Sequence, residues 1–178
     1  MKRLLALTLV LLASTAGVAG AVGIGGGVYA GMSWPVVQED VAQGSIYGLR
    51  VPVSLTPLFK VEPYYATGTL GDKEEDIGGI TYKREGFEET GYGLNLLLTT
   101  GGPVTFYPFG GIGKTELKRE GGNFEGTTYN VGLGLGFAPM PKLSVDVRGE
   151  FQIVVDGDAS RKFGNLTVGA SYALFSLP

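Results

Sequence analysis

Large apolar residues alternate with glycine or small polar residues over eight stretches of the chain. In the clearest stretch, residues 129–137, an aromatic or aliphatic residue occupies every odd position and Asn or Gly every even one. A period of two residues predicts β-strands whose two faces meet different surroundings. The other stretches cover residues 22–34, 46–55, 59–66, 91–98, 106–113, 143–153 and 165–174. We therefore expect an all-β protein with eight strands.

The composition of the second face indicates which side points outward. It is mostly Gly, Ser, Asn and Thr, in a chain with 31 Gly, nine Tyr and nine Phe. The lumen of an eight-stranded barrel barely accommodates side chains, which favours small residues inside it. The large apolar residues are therefore predicted to face lipid. The predicted fold class is an eight-stranded antiparallel up-and-down transmembrane β-barrel.

The connections between these strands are predicted to be of two kinds. Residues 56–58, 99–103 and 138–142 are short and nearly uncharged, whereas residues 35–44, 70–89, 117–128 and 154–162 are longer and hold most of the charges. This division is typical of short periplasmic turns and long extracellular loops. Aromatic residues form a row near each end of the strands, as interfacial girdles do. One row is Phe59, Phe106, Phe137 and Tyr172, and the other is Trp34, Tyr47, Tyr92 and Tyr129.

The first residues have the pattern of a secretory signal peptide. Lys2 and Arg3 precede an apolar core at residues 4–13, and Ala19-Gly20-Ala21 offers a cleavage site of the A-x-A type. This core is too short to span a bilayer comfortably as a helix. We expect a cleaved signal peptide at residues 1–21 and one barrel domain at residues 22–178, with an uncleaved anchor as the alternative.

Charge and residue types argue against several classes of function. The formal net charge is −3, and it becomes −5 without Lys2 and Arg3. Nucleic-acid-binding proteins present clustered Lys and Arg, so no nucleic-acid partner is expected. The chain has no His, so the usual general base near neutral pH is missing. The acidic residues 72–76 lack the ligand spacing of an EF-hand loop. We predict no enzyme activity, no cofactor and no metal site.

The last predicted strand resembles the C-terminal signal by which outer-membrane barrels are recognised for assembly. Thr167 and Gly169 are followed by an aromatic residue, Tyr172, and by the hydrophobic Phe175, although three more residues follow here. Together with the signal peptide and the eight strands, this makes the chain resemble the small OmpA/OmpX-like outer-membrane barrel families. The resemblance implies a bacterial outer-membrane location, contact with outer-membrane lipid and lipopolysaccharide, and recognition by the barrel-assembly machinery.

Charged residues on the inward face are the candidate functional residues, because charge in a narrow lumen must be paired. They are Arg50, Lys60, Glu62, Asp146, Arg148 and Glu150. Arg148 is predicted between two carboxylates of its own strand, and Arg50 and Glu62 are predicted as diagonal neighbours. Their strands lie on opposite sides of the barrel, so the two clusters are expected to meet. The result is either an ion-pair plug or a gated polar conduit.

Three functions fit this pattern. The leading hypothesis is a structural or surface-interaction protein whose specificity lies in its extracellular loops, mainly residues 70–89. The second is a narrow porin-like channel for ions or small solutes, hydrophobic ones included. The third is a periplasmic lipocalin-like binder. The pattern of strands does not identify an extracellular ligand.

Overall fold

The chain forms strands joined by turns. The computed structural model describes residues 23–37, 40–100 and 102–176, so the predicted signal peptide lies outside the described residues. The strands are β1 (Gly23–Pro35), β2 (Ala42–Arg50), β3 (Val53–Ser54), β4 (Phe59–Gly71), β5 (Lys73–Ile77), β6 (Ile80–Arg84), β7 (Phe87–Leu98), β8 (Val104–Arg119), β9 (Gly122–Met140), β10 (Leu143–Asp156) and β11 (Ala159–Ser176). Nowhere in these ranges is there a helix long and apolar enough to cross a membrane.

The main sheet closes on itself, because β11 pairs with β1 as well as with β10. Its order is β11-β10-β9-β8-β7-β4-β2-β1, and β3 continues β2 at the same position between β1 and β4. Pro52 interrupts that strand since it has no N–H to donate. The sheet stays bonded there: Val51 N donates to Pro63 O and Gly25 N donates to Pro52 O, both at 2.9 Å. The eight-stranded antiparallel barrel is therefore confirmed.

The two faces of the barrel wall have the predicted character. Large apolar side chains such as Val28, Leu96 and Val131 are exposed on the outside. Inward side chains of the same strands are small or buried, as Tyr107 and Phe109 are on β8. An outer band of exposed apolar residues matches a wall that faces lipid rather than water.

The strands are longer than the sequence predicted, and the predicted long loops are mostly strand. Residues 117–128 are the ends of β8 and β9 around a two-residue turn, and residues 154–162 likewise belong mostly to β10 and β11. Gly121 (φ 90°) and Gly157 (φ 55°) allow these tight turns. Residues 70–89 contain a separate hairpin, β5–β6. The predicted split into short turns at one end and long loops at the other is wrong to this extent.

The cause is that the outward side chains of a strand change from apolar to charged along its length, as in β8. Ile112 of β8 faces outward near Tyr92 and Tyr129, but the next outward residues are charged, and the inward residue Leu117 is buried. The period of two persists while the apolar side moves from outside to inside. A transmembrane strand needs about 9–11 residues, whereas β9 has 19. The strands therefore continue past the lipid into water.

Candidate functional site: the barrel lumen

A vestibule occupies the lumen at the end that holds Gly23 and Ser176, called here the terminal end. Its volume is about 290 Å³, and its lining includes Lys60 and Lys142 together with several hydroxyl groups. Lys60 was a predicted lumen residue; it is half-buried and forms none of the ion pairs in the described part of the chain. The vestibule ends at a layer of ion pairs.

Two arginines cross the lumen above the vestibule, each bound to one carboxylate. Arg50 Nη1 and Nη2 donate to Asp146 Oδ1 and Oδ2 at 3.1 and 2.6 Å. Arg148 Nη1 and Nη2 donate to Glu62 Oε1 and Oε2 at 2.5 and 2.9 Å, and its Nε donates to the Tyr107 hydroxyl. Arg50 and Glu62 are diagonal neighbours, as predicted, because Arg50 pairs with Tyr64 in the sheet. The two clusters also meet across the lumen, as predicted, and each arginine binds a carboxylate of the other cluster.

Glycines opposite these side chains leave the room they need. A Cβ atom at Gly169 would collide with the Arg50 guanidinium, and one at Gly134 would collide with the Tyr107 ring. The inward glycines of the sequence therefore complement specific large side chains within a narrow lumen. We call the layer formed by Arg50, Glu62, Asp146 and Arg148 the ion-pair layer.

A layer of amides and carboxylates follows. Glu150 accepts hydrogen bonds from Asn130 Nδ2 at 3.1 Å and Asn165 Nδ2 at 2.9 Å. Gln152 Nε2 donates to Glu89 Oε1 at 3.1 Å, and Gln152 Oε1 accepts from Asn165 Nδ2 at the same distance. Arg148 lies between Asp146 and Glu150 on the inward face of β10, as predicted, but its ion pairs are with Asp146 and Glu62.

Sequence reasoning missed Glu89, because it lies in a segment that was predicted to be a loop. The usable signal was the register: Glu89 has the same parity as Gly91, Gly93 and Asn95, which were correctly predicted to face the lumen. Glu89 is 3% exposed. A charged residue in phase with an inward face was thus the available clue.

An apolar cluster fills the lumen at the other end, called here the far end. Its members are Val41, Leu70, Phe87, Leu117, Val154 and Phe163, with Phe124 packed against them. Leu117, Val154 and Phe163 are fully buried. We call this cluster the apolar plug. The prediction of solvated loops concealed it, since residues such as Leu117, which stands between Glu116 and Lys118, were assigned to charged loops.

Charged groups cover the plug. Asp40 accepts hydrogen bonds from Arg161 at 3.2 and 3.0 Å and from Arg119 at 3.5 Å. Both guanidinium groups lie over the Phe87 ring, at 4.5 and 4.6 Å from its centre. Partial burial opposes ionisation of Asp40, but the hydrogen bonds and charge of Arg161 outweigh it and lower the pKa of Asp40. The three residues form a latch over the plug.

In the parts of the chain described, no group of three or more Asp or Glu side chains is placed to hold a metal ion. Side chains from several strands meet at three successive levels: the ion-pair layer, the amide layer and the plug. The lumen is narrowed by side chains at each of these levels.

Comparison with solved structures finds the same architecture in small outer-membrane barrels. OprG from Pseudomonas aeruginosa aligns with a TM-score of 0.61 at 14% identity, over 88% of this chain and 96% of that one. A major outer membrane protein from Thermus thermophilus aligns with a TM-score of 0.58 at 14% identity, over 86% and 99%. Ail, the attachment invasion locus protein of Yersinia pestis, aligns with a TM-score of 0.50 at 17% identity, over 87% and 99%.

Sequence identities this low show a shared fold and nothing more. No curated protein matches the sequence. The model of one family, the outer membrane protein beta-barrel domain, matches residues 4–173. With the closed ring of strands and the lipid-facing wall, this match shows that the chain belongs to the outer membrane β-barrel domain family and is a protein of the bacterial outer membrane.

Proposed function

We propose that the protein is a closed outer-membrane barrel with a structural role and a surface-interaction role carried by its far end. The observation that carries this proposal is the narrowed lumen: fully buried Leu117, Val154 and Phe163 lie above two arginine–carboxylate pairs. A barrel filled in this way is suited to hold other groups at the membrane surface. The far end then faces outward, as the longer ends of such barrels do.

The hairpin β5–β6 is the feature at the far end best suited to contact a partner. Its strands pair with each other and not with the ring. Ile80 and Tyr82 are 60% and 50% exposed, beside exposed ion pairs such as Lys83–Asp72 at 2.8 Å. Exposed aromatic and aliphatic side chains flanked by charges are typical of interaction surfaces. The name of Ail, an attachment invasion locus protein, is in keeping with such a role.

Lipid and lipopolysaccharide are the proposed partners of the wall. Lys114 points outward beside Tyr92 and one outward position past the level of Tyr129, at the height where headgroups begin, and Lys118 lies two outward positions farther along β8. Tyrosines favour that interface, and lysines there attract phosphate groups. Recognition by the barrel-assembly machinery through the last strand belongs to the same proposal.

A narrow channel is the second candidate, and the vestibule is the observation that favours it. About 290 Å³ of space opens at the terminal end and reaches Arg148. Conduction would require both the ion-pair layer and the plug to open. Recording current from the refolded protein in planar bilayers separates the two roles. We expect a closed baseline, unchanged in Arg148→Ala. Steady unitary currents would contradict the closed-barrel proposal.

The surface role is tested with the hairpin itself. Replacing residues 73–84 by a short Gly-Ser linker is expected to reduce attachment of intact cells producing the protein to a layer of other cells. The substitutions Ile80→Ser and Tyr82→Ser should reproduce most of this loss, with Glu74→Ser as the matched exposed control. Equal attachment by all variants, at equal surface amounts, would contradict a role for the hairpin.

A further inference from the structure

Two glutamates face a small chamber between the ion-pair layer and the apolar plug. The chamber has a volume of about 30 Å³. Glu89, Glu150 and Asn165 line it, together with Arg50 and Arg148 of the ion-pair layer and the tyrosines Tyr29 and Tyr64. A water-sized particle needs about 10–15 Å³ measured in this way, so the space fits an ion with at most one or two waters. Glu150 keeps part of its surface accessible within the barrel.

The charges of these two glutamates are not balanced by the neighbouring arginines. Arg50 and Arg148 each bind a carboxylate of the ion-pair layer through two hydrogen bonds. The ion pairs found among the described residues include neither Glu89 nor Glu150, whose hydrogen-bond partners are amides. Amide donors stabilise a carboxylate without cancelling its charge, and two uncancelled charges inside a membrane barrel are costly.

An oxygen without a hydrogen-bond partner belongs to the same lining. Asn165 is 2% exposed, and its Nδ2 already donates to Glu150 and to Gln152. Its Oδ1 is buried and accepts no hydrogen bond from any described residue. Carboxylate and amide oxygens are the ligands of hard cations. The lining therefore offers negative charge and a free acceptor, and the amide groups of Gln152 and Asn165 already donate to other oxygens.

We propose that this chamber binds one divalent hard cation, with Glu89, Glu150 and the Asn165 amide oxygen as its protein ligands. A charge of 2+ neutralises both carboxylates. Ca²⁺ fits better than Mg²⁺ because it accepts irregular sets of oxygens, whereas Mg²⁺ demands a regular octahedron. The bound ion ties β7 to β10 and β11 across the lumen. It is a structural site and is independent of what the surface hairpin binds.

The experiment compares protein refolded in detergent with EDTA, Ca²⁺, Mg²⁺ or K⁺ at matched ionic strength. We expect one Ca²⁺ per chain to remain bound after gel filtration. The midpoint temperature of unfolding should rise by several degrees with Ca²⁺, and by less or not at all with Mg²⁺ or K⁺. The double variant Glu89→Gln/Glu150→Gln should lose both effects. The matched control Glu74→Gln/Asp76→Asn, in the exposed hairpin, should keep both.

Several results would overturn the proposal. These are no Ca²⁺ bound to the wild type, equal binding by the double variant, or a midpoint that responds to pH and to no cation, which would mean that protons neutralise the pair. If the double variant does not fold, Asn165→Asp provides the second test. A third carboxylate should tighten Ca²⁺ binding at least tenfold, and an unchanged affinity would count against the site.

Discussion

Arg50 and Arg148 fill part of the lumen and link strands on different sides of the barrel. Each arginine starts on one wall and binds both oxygens of a carboxylate on another. Such a fork matches the carboxylate geometry and fixes the relative positions of the two strands. Such a pair adds little net stability, because burial removes both charges from water. Removing one partner is nevertheless costly, because it leaves the other charge buried and unpaired.

Removing one partner of a buried pair should be much more harmful than removing one of an exposed pair. Asp146→Ala leaves Arg50, which is 2% exposed, without its counter-ion, and we expect the free energy of unfolding to fall by about 3–5 kcal/mol. Asp72→Ala breaks the exposed Lys83–Asp72 pair and should cost at most about 1 kcal/mol. Urea unfolding in lipid vesicles measures both. Similar losses would contradict the role given to the ion-pair layer.

Gly134 is required by the ring of Tyr107. A methyl group at Gly134 would collide with that ring, whereas the same group at Gly149 meets no atom within 4 Å. Overpacking typically costs about 1–3 kcal/mol, so Gly134→Ala should lower the free energy of unfolding by that amount. Gly149→Ala, the control on the lipid side of β10, should have little effect. If both variants unfold at the same urea concentration, the inward glycines are not spacers.

The latch over the plug should depend on pH through Asp40. The pKa of Asp40 is lowered, because Arg161 donates hydrogen bonds and positive charge that outweigh the effect of partial burial. A lowered pKa contributes stability above the unfolded value, near 3.9, and loses it as pH falls through the folded value. Wild type should therefore exceed Asp40→Asn in unfolding free energy at neutral pH. The difference should vanish in acid; a difference independent of pH would contradict the latch.

At the scale of single strands, the same alternation serves two environments. In β8 the outward residue Ile112 faces lipid, whereas farther along the outward residues Lys114 and Lys118 face water and the inward Leu117 joins the plug. The pleat is unchanged, and the solvent outside it changes. The aromatic row with Tyr92 and Tyr129 marks the boundary between the two environments.

This boundary predicts a steep difference along β9. Leu133→Arg places a charge on the lipid side of the wall and should lower the free energy of unfolding by about 2–4 kcal/mol, as arginine does near the middle of a bilayer. Asn123→Arg is equally outward but lies past the tyrosine row, where about 0–1 kcal/mol is expected. Unfolding in phospholipid vesicles gives both values. Equal costs would place the boundary elsewhere.

The change of solvent also explains why the loops were predicted wrongly. A run such as residues 114–119 combines charges with one buried leucine. If every strand is expected to be apolar on its outward face, such a run is interpreted as a polar loop. Only the pairing of residues 114–119 with 122–127 shows that these residues extend the barrel. The alternation of apolar and polar residues was present, but here the apolar residue faces the lumen and the charged residues face outward.

At the scale of the whole molecule, closure of the sheet is expected to make the barrel resist unfolding. β1 and β11 pair over residues 23–35, so neither is an open edge. In lipid or detergent every unpaired backbone group is costly, which makes partial unfolding of a closed barrel unfavourable. We expect unheated protein to migrate as a compact band on a cold detergent gel and boiled protein to migrate differently. Identical migration would contradict a stably closed barrel.

The local pattern of side chains determined the wall of this protein. Strand number, the lipid-facing side and the inward placement of all six candidate charges follow from a period of two, because neighbouring residues of a strand must point to opposite faces. Tertiary structure alone decided which charges meet: Arg50 with Asp146 and Arg148 with Glu62. It also assembled the plug and the Glu89–Glu150 chamber. Those contacts join strands that are far apart in the chain. Barrel shear and strand length set the height at which each side chain enters the lumen, and the alternation of residues along a strand encodes neither.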